Sequence, residues 1–467
     1  MENPTMKSTL LLAATLLAGT ALLQATAQES EPGRPHRPFA ERPPVDPAIL
    51  VEKATRDPFV QPNDRALFPG LPPSAPVQRQ PAPRDVPPEG QVLERRPPVN
   101  PSQHPAFAGQ TRAVTVRTKT PIEETVVARG LSYPWSLAFM PDGRMLVTEK
   151  SGALRVVTQR GEVSEPVAGV PPVMHAGDCG LLAVLVDPDF ASNRFVYLSF
   201  VGYRPNGHAL MVVRGRLSAD DKSIEGVEQL LTLPPFSGIN HYAGGMVIGH
   251  DGKLYVGTSE WITDETRIAA QLPASPMGKI LRIDRDGSIP ADNPYVNVSG
   301  AEPRVWSIGH RDPEGLALDP KTGGLWISDH GPQGGDEIDR VEPGHNYGWP
   351  LAAYGKRYDG GLLGGGRSQF PGTDQPAYYW DPAIAPAGIA FYTADLVPEW
   401  KGNLFVAALG GHHLARLVLE DGKVTGEERL LRGNDQRVRD VKQAPDGALW
   451  AVTDDADGRL IRLSPRR

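Results

Sequence analysis

His241 stands in the run Ile239-Asn240-His241-Tyr242-Ala243-Gly244-Gly245. Its imidazole is the most suitable general base in the chain, because its ordinary pKa lies near neutrality. Four further clusters set charged and amide side chains among glycines: Gly309-His310-Arg311-Asp312-Pro313-Glu314-Gly315, Asp329-His330-Gly331-Pro332-Gln333-Gly334-Gly335-Asp336-Glu337, Asn346-Tyr347-Gly348-Trp349-Pro350 and Gln436-Arg437-Val438-Arg439-Asp440. Arg437 and Arg439 have the same parity on a strand and would point one way, as two guanidinium forks that match carboxylates bidentately. Gly331-Pro332 offers backbone carbonyls, which are Ca2+-type ligands. Together these residue types suit a flat polyanion held beside a hard cation, with a base at hand. Each also has a plainer reading. The arginine pair equally reads as a surface ion-pair set, and His241 alone as a satisfied structural residue. His310 and His330 read as structural hydrogen-bond donors, His412-His413 as an exposed loop pair, and Asp336-Glu337 as a turn network. No HExxH, GxSxG, Walker or GxGxxG element is present, which argues against zinc peptidases, serine hydrolases and nucleotide enzymes.

The elements that must position these clusters are short β-rich runs. An apolar strand, an Asp-Gly turn and a second apolar strand recur in Leu137–Glu149, Met246–Thr258 and Val441–Thr453, and more loosely in Leu316–Ser328. Asp-Gly between alternating apolar runs is a strong hairpin signal. The repeats predict an all-β, six-bladed β-propeller with blades near 134–157, 181–217, 244–285, 305–341, 388–417 and 436–463. The Pro121–Arg129 strand would close the ring against the last blade. Loops at one end of a propeller converge on its channel, so clusters distant in sequence can share one site. The long insertion Tyr354–Trp380, with its glycine runs, reads as a loop on one face.

Ahead of the propeller the texture changes. Met6-Lys7, the apolar run Leu10–Leu23 and Ala25-Thr26-Ala27 read as a signal peptide over residues 1–27. Residues 28–118 hold 20 of the 48 prolines and show no apolar periodicity, so they are expected to form a Pro-rich disordered linker. The propeller domain is assigned to 119–467. A net charge of −7 and a pI of about 5.9 argue against a nucleic-acid partner. No other stretch is apolar enough to span a bilayer, so no membrane span is expected in the mature protein. The single cysteine, Cys179, forms no intrachain disulfide and reads as a small buried apolar residue.

Taken together, the clusters and strands from about Leu131 to Pro465 resemble the soluble PQQ-dependent aldose sugar dehydrogenases, the family of soluble glucose dehydrogenase. The resemblance is carried by Leu131-Ser-Tyr-Pro-Trp-Ser-Leu-Ala-Phe139, Gly180-Leu-Leu182 with Asp187-Pro-Asp-Phe190, Met277-Gly-Lys-Ile-Leu-Arg-Ile-Asp284, Asp286-Gly-Ser-Ile-Pro-Ala-Asp-Asn-Pro294, Trp306-Ser-Ile-Gly-His-Arg311, His330-Gly-Pro-Gln-Gly-Gly-Asp-Glu337, Asn346-Tyr-Gly-Trp-Pro350 and Gln436-Arg-Val-Arg-Asp440. It implies His241 as catalytic base, Arg311 as a site arginine, the carbonyls of Gly331 and Pro332 as calcium ligands, and Arg437 and Arg439 on the carboxylates of PQQ. The implied reaction is hydride transfer from the anomeric carbon of an aldose to the quinone, in a periplasmic or secreted enzyme whose electron acceptor is unassigned.

The chain departs from the family pattern at several points. Asp178 replaces a cofactor-contacting Gln, Glu260 replaces the Asp that orients the base, and Asp312 replaces an Asn. Met246 stands where an Arg is usual, and Gly410 where a Lys often occurs. Negative charge at Asp178 and Asp312 would repel an anionic cofactor unless calcium offsets it. Two other readings are a propeller binding module without cofactor, tethered by the Pro-rich arm, and a calcium-dependent lactonase-type hydrolase, which wants acidic ligands converging on the channel. The export signal yields a direct expectation: the mature chain begins at Gln28, and an intact mass of the exported protein that still includes residues 1–27 would overturn it.

Overall fold

The computed structural model describes residues 86–432 and 435–466. The expected signal peptide, 1–27, and residues 28–85 of the expected linker lie outside the described residues. From Ile122 to Pro465 the chain forms six antiparallel sheets, the blades of a six-bladed propeller. Blade 1 is three-stranded and spans Pro134–Val157; the others are four-stranded. Blades 2 to 5 span Leu181–Thr232, Ala243–Ile308, Pro313–Trp380 and Pro386–Leu430. Blade 6 combines Arg437–Gln443, Leu449–Asp454 and Gly458–Pro465 with the early strand Ile122–Leu131, which pairs antiparallel to Gly458–Pro465 and closes the ring as expected.

Two local rules explain why the sequence folds this way. In the hairpins at Asp142-Gly143, Asp251-Gly252 and Asp446-Gly447 the glycine takes positive φ. The aspartate of each accepts the backbone N–H two residues on, from Arg144, Lys253 and Ala448, each at 3.0 Å. The second strands Met145–Glu149, Leu254–Thr258, Leu325–Asp329 and Leu404–Ala408 are buried at every residue, because neighbouring blades cover both faces of the sheet. That double burial is why they read as unbroken apolar runs rather than alternating ones.

The antiparallel register then positions the site. In five of the six blades the first residue of the inner strand lies beside the end of the second strand: Pro134 opposite Glu149, Ala243 opposite Thr258, Pro313 opposite Asp329, Pro386 opposite Ala408 and Arg437 opposite Asp454. In blade 2 Leu181 faces Phe200, within the longer second strand. Segments just before an inner strand and just after a second strand therefore meet at one end of the channel.

Four expectations need correction. Val305–Ile308 is the outer strand of blade 3, not the start of blade 4, because it pairs with Lys279–Ile283. The insertion Tyr354–Trp380 ends in a strand, Tyr378–Trp380, that completes blade 4. His413 is buried at the start of a strand, with its Nδ1 2.7 Å from the Gly411 carbonyl. The largest correction concerns the linker 28–118, whose residues 86–118 are packed on blades 4 and 5. Thr115 bridges to Glu427, and Gln110, fully buried, donates to the Pro376 carbonyl at 3.0 Å. Arg112 donates to the carbonyls of Glu94, Arg96 and Asp381. Burial alone would raise the Glu94 carboxyl, but Arg96 and Arg429 bring it down to about 2. The prolines remove backbone donors, and others are met by strap and blade carbonyls, as for Leu93, Thr115 and Val116, or by blade side chains, as for Val99, Ala113 and Thr118, so this strap packs with no apolar period. Deleting residues 28–85 is expected to leave the melting temperature unchanged. Extending the deletion through 118 should lower it by more than the ~2–4 °C that corresponds to 1 kcal/mol, as read by thermal unfolding of the two truncations.

Candidate active site

Every site residue named from the sequence lies on or beside the segments that the register gathers. Asp178 precedes the first strand of blade 2, His241 that of blade 3, and Arg311 and Asp312 that of blade 4. Glu260 follows the second strand of blade 3, Gly331 and Pro332 that of blade 4, and Gly410 that of blade 5; Arg437 and Arg439 open blade 6.

His241 is buried, with φ of 58°, and Ala243, Trp261 and Ile262 nearby also have positive φ. Four non-glycine residues in this sparsely populated region mark a strained segment held by its surroundings. Part of that hold is Asp178, whose Oδ2 accepts the His241 backbone N–H at 3.1 Å. The His241 Nε2 lies 3.2 Å from Arg311 Nη2. A guanidinium only donates, so Nε2 is the acceptor and the ring proton sits on Nδ1. Nδ1 faces Glu260 Oε1 at 3.6 Å, and neither atom makes a hydrogen bond with a described residue. Burial, then the Arg311 charge, lowers the His241 pKa well below its usual value, so the ring is neutral. Burial raises Glu260 to about 7 against the pull of Arg311 and Arg267.

Arg311 links the two halves of the site. Its Nη1 donates to the carbonyls of His330 and Gly331, and its guanidinium lies over Trp349 at 5.4 Å and Tyr358 at 5.9 Å. The Gly331-Pro332 turn is fixed by Asp336, which accepts the Gly331 N–H on one oxygen and those of Ile384 and Ala385 on the other. Asp336 is thus the turn network expected of it. Gly335, at φ 75°, runs so close to blade-4 backbone that a Cβ there would meet the Tyr354 carbonyl oxygen at 1.9 Å.

Arg437 and Arg439 do share a direction, since both reach Asp454 Oδ2, at 3.4 and 3.0 Å. Their exposures differ: the Arg437 side chain is 47% exposed and that of Arg439 5%. Arg439 also pairs with Glu314 at 2.6 Å. Burial alone would raise Asp454, yet Arg439, Arg437 and Lys150 bring it to about 2. Asp312 is buried beside Glu314, which pushes its carboxyl well above the usual range and keeps it the neutral acid. Asp178 is exposed. Met246 is buried in the core of blade 3.

Sequence reasoning missed Lys150 and Asp454, and gave no role to Glu314 or to Trp135, the last lying 5.8 Å from the Arg439 guanidinium. Lys150 follows the second strand of blade 1 and donates to the Gly177 carbonyl at 2.7 Å. The signal that finds Lys150 and Asp454 is position: each stands at a second-strand end, where the register places channel residues.

Fold and site together define a propeller oxidoreductase of the sugar-dehydrogenase class. The chain belongs to the glucose/sorbosone dehydrogenase family, whose sequence profile matches residues 131–462. It is 39% identical to the aldose sugar dehydrogenase YliI of Escherichia coli K12 over 340 residues, which cover 72% of this chain and 91% of that protein. Its fold matches the apo-form crystal structure of the soluble aldose sugar dehydrogenase of Escherichia coli with a TM-score of 0.71 at 37% identity, covering 74% of this chain and 100% of that one. The PQQ-bound aldose sugar dehydrogenase of Streptomyces coelicolor matches with a TM-score of 0.62 at 29% identity, covering 74% and 99%.

The raised Glu260 pKa has a stability consequence. Between about 4.5 and 7 the native state keeps a proton on Glu260 that the unfolded chain releases, so this group's contribution to stability falls as pH rises through that window. His241, with its lowered pKa, contributes in the opposite sense in both proteins compared. The stability of wild type minus that of Glu260→Gln should therefore drop between pH 4.5 and 7, on the order of 1–3 kcal/mol, as measured by denaturant unfolding across that range.

Proposed function

We propose that the chain is a PQQ- and Ca2+-dependent aldose dehydrogenase acting in the periplasm or outside the cell. The observation that carries this reading is a neutral imidazole acceptor, His241 Nε2, beside Arg311 at a channel mouth that also holds the arginine pair of blade 6. The PQQ-bound relative supports it.

The residues present fit both groups. Arg437 and Arg439 would hold the PQQ carboxylates, and the buried Arg439 Nε makes no hydrogen bond with a described residue and has a donor to offer. The carbonyls of Gly331 and Pro332 are hard oxygen donors on a turn fixed by Asp336, and would hold Ca2+. Asp178, Arg311 and Asp312 would line the cofactor. When bound, PQQ with Ca2+ would supply the acceptor for the hydride that leaves the anomeric carbon.

The protein's own part is proton management. His241 Nε2 takes the proton of the anomeric hydroxyl, and burial keeps its lone pair available at neutral pH. Arg311 occupies that lone pair here and must share or yield it as the hydroxyl enters. The ring's Nδ1–H faces Glu260, whose ionised form stabilises the imidazolium that proton uptake creates. The hydrolase reading would draw on Asp312, Glu314 and His330, whose ligand atoms lie within 4.8 Å of one another. Glu314 is committed to Arg439, which favours the oxidoreductase.

The test is titration of the purified protein with PQQ and Ca2+, followed by dye-linked oxidation of aldoses. His241→Ala should lower kcat by ~10²–10⁴-fold while PQQ still binds. Arg439→Ala should weaken PQQ binding by roughly 10- to 150-fold, the effect of losing one charge-assisted hydrogen bond. Absence of PQQ binding in the wild type at millimolar Ca2+, recovered by Asp178→Gln with Gly410→Lys, would replace the enzyme with the binding module.

A further inference from the structure

Behind the active site, inside blade 4 and against blade 3, three side chains converge that the proposed reaction does not use. His310, Asp329 and Asp339 are 0%, 4% and 1% exposed. One ligand atom from each lies within 4.8 Å of the other two, and His310 Nδ1 is 3.8 Å from Asp329 Oδ2. That spacing is too long for a hydrogen bond. It suits two metal–ligand bonds of about 2.0–2.2 Å meeting at one ion. His310 Nδ1 and both oxygens of Asp339 make no hydrogen bond with a described residue, which is a costly state for a buried carboxylate and a buried imidazole nitrogen.

Among the described residues no cation bonds the three ligand atoms: the Arg311 charge acts on Asp329 through space, with its guanidinium held by His330, Gly331 and His241. Lys279, the lysine nearest His310, spends its ammonium on the carbonyls of Ala269, Ala270 and Met277. Burial, with the nearby Asp329 and Asp374 carboxylates adding, pushes the Asp339 carboxyl well up, and Glu337 is a further acidic neighbour. Burial, with Lys279 adding, lowers His310 to about 3, so its ring is neutral. Nε2 lies 2.8 Å from Ser307 Oγ, and in the tautomer that donates there Nδ1 carries the lone pair a cation would take. A single proton on Asp339 would leave its second oxygen and the imidazole lone pair unanswered; one cation answers all three.

We infer that His310, Asp329 and Asp339 form a buried site for one divalent cation of zinc or manganese type. One imidazole nitrogen with two carboxylates favours such ions, whereas Ca2+ takes six to eight oxygens. The ion is distinct from the calcium proposed at Gly331 and Pro332, and the inference does not rest on the quinone reading. Its role is to position. The Asp329 carboxylate also accepts the backbone N–H groups of Arg311 at 2.9 Å and Asp312 at 2.6 Å, so the ion would brace the segment that aims Arg311 at His241.

Elemental analysis by mass spectrometry tests this on purified protein desalted into metal-free buffer, with no PQQ added. About one equivalent of Zn2+ or Mn2+ is expected in the wild type and none in Asp339→Asn, with Ca2+ counted separately. Zn2+ added to chelator-stripped wild type at a hundred times Kd should raise the melting temperature by roughly 5 °C, and should not do so in Asp339→Asn. If that variant fails to fold, Co2+ added to stripped wild type should give visible absorption bands of a nitrogen–oxygen site. Equal metal content in wild type and variant, or a stripped wild type that binds neither Zn2+ nor Co2+, overturns the site and leaves a protonated Asp339 in its place.

Discussion

A guanidinium that is buried at the mouth of a propeller channel must be paired on every side, and the site is arranged around meeting that demand for Arg311. Its side chain takes two carbonyls from blade 4, one imidazole nitrogen from the loop entering blade 3, and two aromatic rings, Trp349 and, from the insertion, Tyr358. Its backbone is held as firmly: Asp329 accepts its N–H, and Ser259 and Glu260 donate to its carbonyl. Each partner is thereby placed relative to the others. His241 receives its tautomer from Arg311, and the neutrality of that ring follows from burial beside the same charge. The carbonyl turn at Gly331 is drawn toward the channel by the same group. Replacing this arginine would leave buried acceptors unanswered on several segments at once.

Much of this was legible in the sequence because propeller geometry reduces to a rule about strand ends. Asp-Gly hairpins and apolar runs marked the blades. Polar clusters beside those runs marked His241, Arg311, Gly331-Pro332, Arg437 and Arg439, and the family resemblance marked Glu260; the register brings them to one end. What escaped notice follows from the same physics. Lys150 and Asp454 are single charged residues at the ends of apolar strands, without a cluster to advertise them. The strap at 86–118 carries no period because it packs through Gln110, Arg112 and Glu94 rather than through an apolar face. Val305–Ile308 was placed one blade too late because a short outer strand has no hairpin signal of its own.

The departures from the family pattern read differently once burial is known. Asp312 and Asp178 look alike in sequence, as two added carboxylates near an anionic cofactor. In the structure Asp178 is exposed, where water screens its charge, and it serves the backbone of His241. Asp312 is buried beside Glu314, where the neutral acid is the favoured form. Neither therefore places a full, unscreened negative charge at the channel mouth. Met246 packs on the apolar core and also lines the small cavity that holds Glu314 and Arg439, so the absence of an arginine there removes a charge from beside the blade-6 pair.

The remaining charge balance turns on blade 6. Arg439 is shared by Glu314 and Asp454, and Asp454 is shared in turn by Arg437. Two guanidiniums thus stand against two carboxylates before any ligand arrives. A polycarboxylate entering the mouth competes with Glu314 and Asp454 for the same donors, and it gains only what those pairs release. Arg437, the more exposed of the two, gives up little desolvation in changing partner. Arg439 is buried and already doubly paired, so what it adds for a ligand is direction, through an Nε that bonds no described residue. Affinity at such a mouth would therefore come as much from a cation held by the Gly331-Pro332 carbonyls as from the arginines, because the cation brings charge that no carboxylate of the chain has already neutralised.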